Sequence, residues 1–576
     1  MRTLKRLYLA GWLGFRAAVP ATLLVGALGA STMACADEND PKTWVKRLDD
    51  PAQRAPAIKR LANFFDDTMT RANKNKSDPQ VTSLMDTIAE PLTKQYTSAT
   101  LDEKTRKDLM KLLSEMADPR SAPAFAKAFN DYEAGKSDDD VKYASEAVMR
   151  LSKENKLTDQ ALIDALWTCF AKFQPSKANK SINLVKNLRE AVLAAKHPSY
   201  GPKAVEKLNQ PVVRPDDPDE ALDKLQFGQL VAIQVISALK YGGAARALVT
   251  ALLTPTKTAL TAQLTNALMK IPKDAEPLLL AAAKGTDPEL AKLAKENPEA
   301  SHVPKLAQAL AFLSRPQGKD AVIEMTQNAA NDANRALVAT RALVHFPADK
   351  KSSDAFLAAY GKTAAEASIQ GYGNAKALWA ESAAQLYDPA MVEWLLKEAG
   401  ALKGEAGAAF PPAALPSAIK LMPADKTKAV EEAIGKALIT PKEKTNLTAS
   451  FKVAAEVTEK CKQDAACYVA KLDEPIPSSP PSARMGHIKA CYMAAIYGNA
   501  ETRKALVGKL EKVKDGIVRL ALAEAIDHLA PQGDVATADA LDKIVDADVA
   551  TGNAELIAND DAVVKAALKI RSRATP

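Results

Sequence analysis

Residues 515–529, DGIVRLALAEAIDHL, carry the clearest structural pattern in this chain of 576 residues. Their apolar side chains recur every three or four positions, which is the period of one face of an α-helix. The same period continues from about residue 41 to the C-terminus, in segments dominated by Ala and Leu. Hydrophobic residues make up 47% of the chain, which is enough for a large core. The sequence therefore predicts an all-α fold.

The helical segments are separated by short breaks that recur at a loose period. Many breaks have Gly or Asp at the turn, and several have Pro at the first position of the next helix, where a missing N–H costs nothing. Successive turns lie 31 to 42 residues apart, as in the series Gly243, Gly285, Gly318, Asp349 and Asp388, and in the pair Gly498 and Gly533. This spacing is typical of two-helix solenoid repeats, of which the chain could hold roughly 12 to 14.

Residues 515–529 resemble the first helix of a HEAT-like repeat, and DPRSAPAFAKAF at 118–129 resembles the turn and second helix. The positions that carry the resemblance are a Val-Arg pair and the small or apolar residues after it, namely Val518, Arg519, Ala521, Ala525 and Ile526. The likeness is clear in about four repeats and degenerate elsewhere, notably at 66–105 and 400–450. It implies an α-solenoid of stacked two-helix repeats, an α/α superhelix of armadillo type with a long concave surface.

The first 36 residues are predicted to be a secretory signal peptide. They combine four basic residues with an apolar run and small residues before Asp37. Two interpretations of the cleavage site stay open. One is an A-x-A site at Ala34-Cys35-Ala36; the other is lipidation of Cys35, since Ala34 before Cys35 resembles the lipobox of a bacterial lipoprotein. Both place the protein in the bacterial cell envelope, either in the periplasm or anchored to a membrane.

The net charge argues against a nucleic-acid binder. The chain has 77 basic and 70 acidic residues, and four of the basic ones lie in residues 1–36. Without that segment the net charge falls from +7 to +3, and Lys alternates with Asp and Glu as on solvated helix faces. A basic stripe of the kind that binds phosphate backbones is not seen. No later segment has about 18 consecutive apolar residues, so membrane attachment is expected only through an N-terminal lipid.

Four cysteines follow the leader, and export favours disulfides. Cys461 and Cys467 are six residues apart, a rise of about 9 Å on an unbroken helix, which is beyond the reach of a disulfide. A bond between them requires the helix to break, with Asp464 as the N-cap of the next helix. The alternatives are a Cys467–Cys491 bond or free buried thiols. Cys169 is expected to be a buried small apolar residue.

Segments rich in Pro or Gly divide the chain after the leader into three blocks. Residues 211–219 mark one break, and the segments 404–416, GEAGAAFPPAALP, and 474–486 are each expected to be a long loop between repeats. The predicted blocks are N-terminal helical repeats at 37–210, central HEAT-like repeats at 211–403 and C-terminal HEAT-like repeats at 404–576.

No motif predicts a catalytic, cofactor or metal site. The five histidines form no short pair, and each lies near a helix end or turn, where capping or packing is expected. Ser417-Ala-Ile-Lys420 matches S-x-x-K, but the partner motifs of penicillin-recognising enzymes are missing. Trp379 and Trp394 are expected mainly to pack between repeats. In the alternative interpretation, they line a concave recognition surface and anchor a partner.

These observations favour a non-enzymatic scaffold or adaptor of the cell envelope that binds a partner protein on the concave face of a solenoid. The sequence indicates no cofactor. A rival is an enzyme or small-ligand carrier with a site between repeats, since HEAT-like repeats resemble those of phycobilin lyases. A purely structural envelope spacer is the third alternative. Buried ionisable residues in a closed pocket would favour the rival, and an open groove would favour the scaffold.

Overall fold

The computed structural model describes residues 37–176, 178–179, 181–212, 226–296 and 302–574. The predicted leader, residues 1–36 with Cys35, lies outside the described residues, and so does most of the predicted break at 211–219. The described chain is almost entirely helical.

The helices are named in chain order. Those of the first half are α1 Pro41–Arg47, α2 Arg54–Arg71, α3 Pro79–Ser98, α4 Glu103–Met116, α5 Ala122–Asn130, α6 Asp138–Lys153, α7 Gln160–Lys172, α8 Leu184–Ala195, α9 Tyr200–Asn209, α10 Phe227–Leu239, α11 Ala245–Leu253, α12 Thr261–Lys270, α13 Pro272–Lys284 and α14 Pro288–Glu296. Those of the second half are α15 His302–Leu313, α16 Pro316–Asn328, α17 Asp332–Arg341, α18 Lys350–Gly361, α19 Ala375–Ser382, α20 Met391–Ala401, α21 Gly404–Leu421, α22 Thr427–Lys436, α23 Pro441–Cys461, α24 Ala465–Lys471, α25 Met485–Tyr497, α26 Ala500–Leu510, α27 Gly516–Leu529, α28 Val535–Thr551, α29 Ala554–Asn559 and α30 Asp561–Ala574. A short antiparallel hairpin, β1 Ser368–Ile369 with β2 Gly373–Asn374, lies between α18 and α19.

Helix starts follow simple capping chemistry. The carboxylate of Asp515 accepts hydrogen bonds from the backbone N–H groups of Ile517 and Val518 at the start of α27. Asp464 caps α24 in the same way, after α23 has ended at Cys461. The helix break that a Cys461–Cys467 bond requires is therefore present before Asp464. Such caps satisfy N–H groups that have no partner inside the helix.

The described chain divides into two compact units, one up to Gln95 and one from Tyr96 onward. In the first unit, α1 and α2 pack on each other, and Leu61 and Phe65 are buried. The second unit holds α4 and all later helices. The predicted block boundaries near residues 210 and 403 both fall inside the second unit and stay predictions.

In the second unit, helices contact their next-but-one neighbours, as stacked two-helix repeats do. Helix α4 contacts α6, α5 contacts α7 and α6 contacts α8, and the series continues through α15–α17, α16–α18 and α17–α19. Each repeat thereby covers the apolar face of the one before it. The predicted all-α fold and its α-solenoid architecture are confirmed.

The inner row of helices closes on itself between residues 261 and 574. The row runs through α12, α15, α17, α19, α21, α25, α27 and α30, and α30 then contacts α12 and α15 again. Arg315 links these ends, because its Nε lies 2.6 Å from the carboxylate of Glu276 and an amino group donates to the carbonyl of Ser572 at 3.1 Å. Along this part of the chain, the expected concave surface is enclosed rather than open.

Buried lysines cap the C-terminal ends of helices in this unit. The ammonium of Lys489 on α25 donates to the carbonyls of Lys420 and Met422 at the end of α21, at 3.1 and 2.5 Å. Lys376 on α19 donates to the carbonyl of Tyr360 on α18 at 2.8 Å. Each ammonium meets the negative end of a helix dipole, which offsets part of the cost of burying it. Burial nevertheless lowers the pKa of Lys489 well below its ordinary value.

The loop predicted at 404–416 is wrong, because these residues form the first turns of α21. Three prolines lie inside this helix, and each lacks the N–H of a helical hydrogen bond. The helix forms because its apolar face is covered, with Phe410 and Leu415 almost fully buried. Tertiary packing thus outweighs local propensity. The segment 474–486 is irregular only up to Pro480, after which a 3₁₀ turn leads into α25.

Candidate functional site

A groove of about 820 Å³ lies between α20, α21 and α22 on the outer side of the second unit. We call it the outer groove. Its apolar lining consists of Leu396, Ala399, Leu402, Ala408, Pro411, Leu415, Ala429, Ala433, Ala437 and Leu438. On α21, Pro411 and Lys420 are about half a turn apart in angle, so the groove lies on the face of this helix opposite Lys420. The groove is therefore separate from the enclosed side of the inner row.

Small residues and one exposed leucine shape the outer groove. Gly407 is required where it stands, because a Cβ atom there would lie 2.6 Å from the carbonyl oxygen of Leu402. Gly400 on α20 and Ala433 on α22 project little or no side chain into the groove. Leu438, just after α22, is 90% exposed and forms an apolar lip. A large apolar side chain left in water beside an apolar groove is typical of an interaction surface.

The charged side chains around the outer groove are unevenly paired. Glu432 lies 3.5 Å from the ammonium of Lys436, and Glu393 lies 3.4 Å from that of Lys426. By contrast, Lys397 and Lys403 are exposed and have no ion-pair partner among the described residues. The unpaired charge on the rim is thus positive.

The enclosed side of the inner row holds a far smaller space, which we call the inner crevice. Its volume is about 30 Å³, room for about one water molecule. It is lined by Val344, His345, Phe346, Gln385, Tyr387, Glu524, Asp527, His528 and Lys569. These residues come from the turns after α17 and α19 and from α27 and α30. Ionisable residues thus converge on one crevice, but the crevice is too small for a metabolite.

Three aromatic rings stack beside the inner crevice. The ring of Tyr387 lies 4.3 Å from that of His528 and 5.0 Å from that of Tyr492, at interplanar angles of 15° and 21°. The ammonium of Lys420 lies 5.6 Å from the far ring of this stack, that of Tyr492. In the described part of the chain, Oη of Tyr387 and Nδ1 of His528 are buried without a hydrogen-bond partner. The stack is therefore held by ring contacts rather than by hydrogen bonds.

Charges around the inner crevice are strongly perturbed. Burial lowers the pKa of His345 to about 3, and the neighbouring Lys569 adds to this effect. Burial also lowers the pKa of His528 to about 4, against the opposing effect of Asp527. Burial by itself would raise the pKa of Asp527, but ion pairs with Lys569 and Arg573 hold it below its ordinary value. Both histidines are consequently neutral at pH 7.

The two tryptophans singled out from the sequence lie in one aromatic core. Trp379 is fully buried, with its ring 4.6 Å from that of Phe356. Trp394 is partly buried and packs edge-on against Tyr360 at 4.9 Å. Trp379 thus takes the packing role and has no surface to offer a partner.

The sulfur atoms of Cys461 and Cys467 lie 2.01 Å apart, with 5.3 Å between their Cα atoms. Cys169 and Cys491 are buried as free thiols, and burial raises the pKa of Cys169 to about 12. We expect Cys461 and Cys467 to resist alkylation in denaturant until a reductant is added, while Cys169 and Cys491 react on unfolding alone. Peptide mass mapping measures this, and a linked Cys467–Cys491 peptide would contradict it.

Neither the outer groove nor the inner crevice is predicted by the sequence. The closest signal for the groove is the run of small residues at 399–408, which is unusual inside packed helices. The turn at Tyr387 could not be predicted from the sequence. Its backbone has a positive φ of 49°, and aromatic residues are not typical of turns with that conformation.

Two further properties of the described residues bear on other functions. No group of three or more His, Cys, Asp or Glu side chains is placed to hold a metal ion in this part of the chain. None of the helices in the described ranges combines the length and the apolar character needed to span a bilayer.

Comparisons with known proteins give a likeness in fold. No protein-family model matches the chain, and no curated protein matches it. Among solved structures, the chain is similar to importin beta crystallised in an ammonium sulfate condition. The two are 10% identical, the match covers 93% of this chain and 80% of that one, and the TM-score is 0.30. The assignment of the fold as an α-solenoid rests on the helix packing described above and not on this likeness.

Proposed function

We propose that this protein is a non-enzymatic scaffold that binds a segment of a partner protein in the outer groove. The observation that carries this proposal is an apolar groove of about 820 Å³ with the 90% exposed Leu438 at its edge. Stacked repeats hold α20, α21 and α22 in fixed positions, so the surface is preorganised and little entropy is lost when a partner binds.

The partner surface proposed here differs from the expected concave one. Between residues 261 and 574 the inner row closes, and the inner crevice on that side has room for about one water molecule. A macromolecule can reach the outer groove without any opening of this ring. The small-ligand carrier is the weaker candidate, because the ionisable residues of the inner crevice surround too little space for a substrate.

We also propose that the scaffold works in the bacterial cell envelope. This rests on the basic and apolar leader at residues 1–36, with Cys35 as the candidate lipidation site. Mass analysis of the mature N-terminus tests it: a diacylated or triacylated Cys35 supports membrane anchoring, and an unmodified start at Asp37 supports a periplasmic protein. An unprocessed Met1 in cells would contradict export.

A photo-crosslinking side chain placed at Leu438 is expected to capture a discrete partner in the native host, at least tenfold more strongly than the same group at Ile182. Both residues are apolar and highly exposed, at 90% and 79%, but only Leu438 lines the groove. The measurement is the yield of the cross-linked band, followed by mass spectrometry.

The matched groove variant is Ala433→Arg, which fills the space without touching the buried core. It should abolish capture at Leu438 while the far-ultraviolet circular dichroism of the chain stays unchanged. Equal capture at Leu438 and Ile182, or capture that survives Ala433→Arg, would mean that the groove is not the binding surface.

A further inference from the structure

We infer that the outer groove takes one amphipathic α-helix of its partner, with acidic residues along the polar flank of that helix. The inference rests on the proposed function and adds the chemical class of the partner. It is carried by the backbone of the groove walls, by the small residues that line it and by the charges on its rim.

The groove walls favour a helix over an extended segment. Most of the lining lies on helices, whose N–H and C=O groups are hydrogen-bonded within the helix except for the carbonyls opposite the prolines of α21, and the described hairpin β1–β2 is not part of the lining. An extended segment on this apolar floor would lose water from its own backbone groups and find few partners for them. A helix satisfies its backbone internally and presents only side chains.

The size and lining of the groove fit a helix of about three turns. Helix α20 has 11 residues, which corresponds to a length of about 16 Å. Gly400, Gly407 and Ala433 leave room for a neighbouring helix to approach to the usual packing distance of about 8–10 Å. Leu396, Leu402 and Leu438 then supply apolar contacts for leucine-sized side chains at positions i, i+3, i+4 and i+7.

The rim selects the sign of the partner's charge. Both acids on the rim, Glu393 and Glu432, already face lysines, whereas Lys397 and Lys403 have no carboxylate within ion-pair distance in the described chain. A partner carboxylate near either lysine forms a new ion pair, and a partner lysine would add repulsion. Charges at a rim set specificity and association rate more than total affinity, so the preference should weaken with salt.

The test uses the full mature chain and three fluorescent 18-residue peptides with the same leucine face. The first has glutamates on its flanks, the second has lysines, and the third is the first with a central proline that prevents a helix. We expect the acidic helix to bind at least tenfold more tightly than the lysine peptide at low salt. The proline peptide should bind at least tenfold more weakly than the acidic helix.

The double variant Lys397→Glu/Lys403→Glu should reverse the preference between the acidic and lysine peptides. Its matched control is Lys504→Glu/Lys543→Glu, which changes the net charge equally at two exposed lysines outside the groove. The control should keep the preference for the acidic peptide. Ala433→Arg should weaken both peptides together.

Three outcomes would overturn the inference: no binding of the acidic helix, equal binding of the acidic and lysine peptides, or a proline peptide that binds as well as its parent. A dimer in sedimentation that Ala433→Arg dissociates would also overturn it, because the occupant would then be a second copy of the chain. If cross-linking at Leu438 still captures a partner in any of these cases, the scaffold function stands. Only the inference that the partner segment is an acidic amphipathic helix is then wrong.

Discussion

Replacing Arg519 by methionine is expected to lower the free energy of unfolding by about 3–5 kcal/mol. Arg519 is 1% exposed, and its guanidinium forms ion pairs with Asp548 and Asp560. It also donates to the carbonyls of Leu510 and Val513, at 3.1 and 2.9 Å. Methionine fills a similar volume but leaves two carboxylates and two carbonyls without their donor.

The cost of this substitution comes from the acids that remain. Burial already raises the pKa of Asp560, and Arg519 counteracts that effect. Without the guanidinium, Asp560 either stays charged in a poorly solvated place or takes up a proton, and both lower stability. Lysine at position 519 cannot reproduce the fork of donors, so Arg519→Lys should restore only part of the loss.

Urea denaturation followed by circular dichroism measures the effect, and hydrogen exchange locates it in α27 to α29. The control is Lys565→Met, which removes an exposed pair with Asp561 and should change the free energy of unfolding by less than about 0.5 kcal/mol. If Arg519→Met is as mild as Lys565→Met, the buried network contributes little to the fold.

Arg519 also shows how much of the fold could be predicted. The pattern around Val518 and Arg519 is local, so helical periodicity and resemblance together were enough to predict stacked two-helix repeats. Its partners were not predictable, because Asp548 and Asp560 follow 29 and 41 residues later and no spacing rule selects them. Local signals specify each repeat, while contacts between repeats depend on how helices pack.

The same distinction explains what sequence patterns missed in the candidate site. Closure of the inner row depends on a contact between Arg315 and Ser572, which are 257 residues apart. The outer groove depends on α21, whose prolines predict a loop and whose burial produces a helix. Trp379, a conspicuous residue in sequence, proved to be core, while the exposed Leu438 has no distinctive sequence context. Such features depend on long-range packing.

Acid is expected to destabilise the second unit through the two histidines of the inner crevice. His345 and His528 have folded pKa values of about 3 and about 4, against about 6.5 in an unfolded chain. The stability that comes from keeping them neutral is present above pH 6.5. It is lost as the pH falls from 6.5 towards the folded values, because only the unfolded chain takes up the protons.

Each histidine should lower the free energy of unfolding by about 1.4 kcal/mol per pH unit in this window. The two together should lower it by about 4–6 kcal/mol by pH 4. Glu524 opposes part of the loss, because burial raises its folded pKa and its protonation therefore stabilises the folded state as the pH falls. Asp527, whose ion pairs with Lys569 and Arg573 lower its pKa, extends the loss below the ordinary carboxylate range. Asp140, whose pKa burial raises to about 6, opposes the loss in the same way, so the contribution of the histidines is measured as the difference in slope between the parent and the histidine variants.

His528→Phe and His345→Phe test this assignment. Phenylalanine can keep the ring contacts with Tyr387 and Phe312, and at position 528 it removes a buried nitrogen that has no hydrogen-bond partner in the described chain. Each variant should lose about 1.4 kcal/mol per pH unit from the slope of unfolding free energy against pH, and the double variant should lose about twice that between pH 6 and 4.5. His197→Phe, outside the crevice, controls for replacing any histidine. If the double variant keeps the parent's slope, acid acts elsewhere, and the closed inner row is not what makes the protein sensitive to low pH.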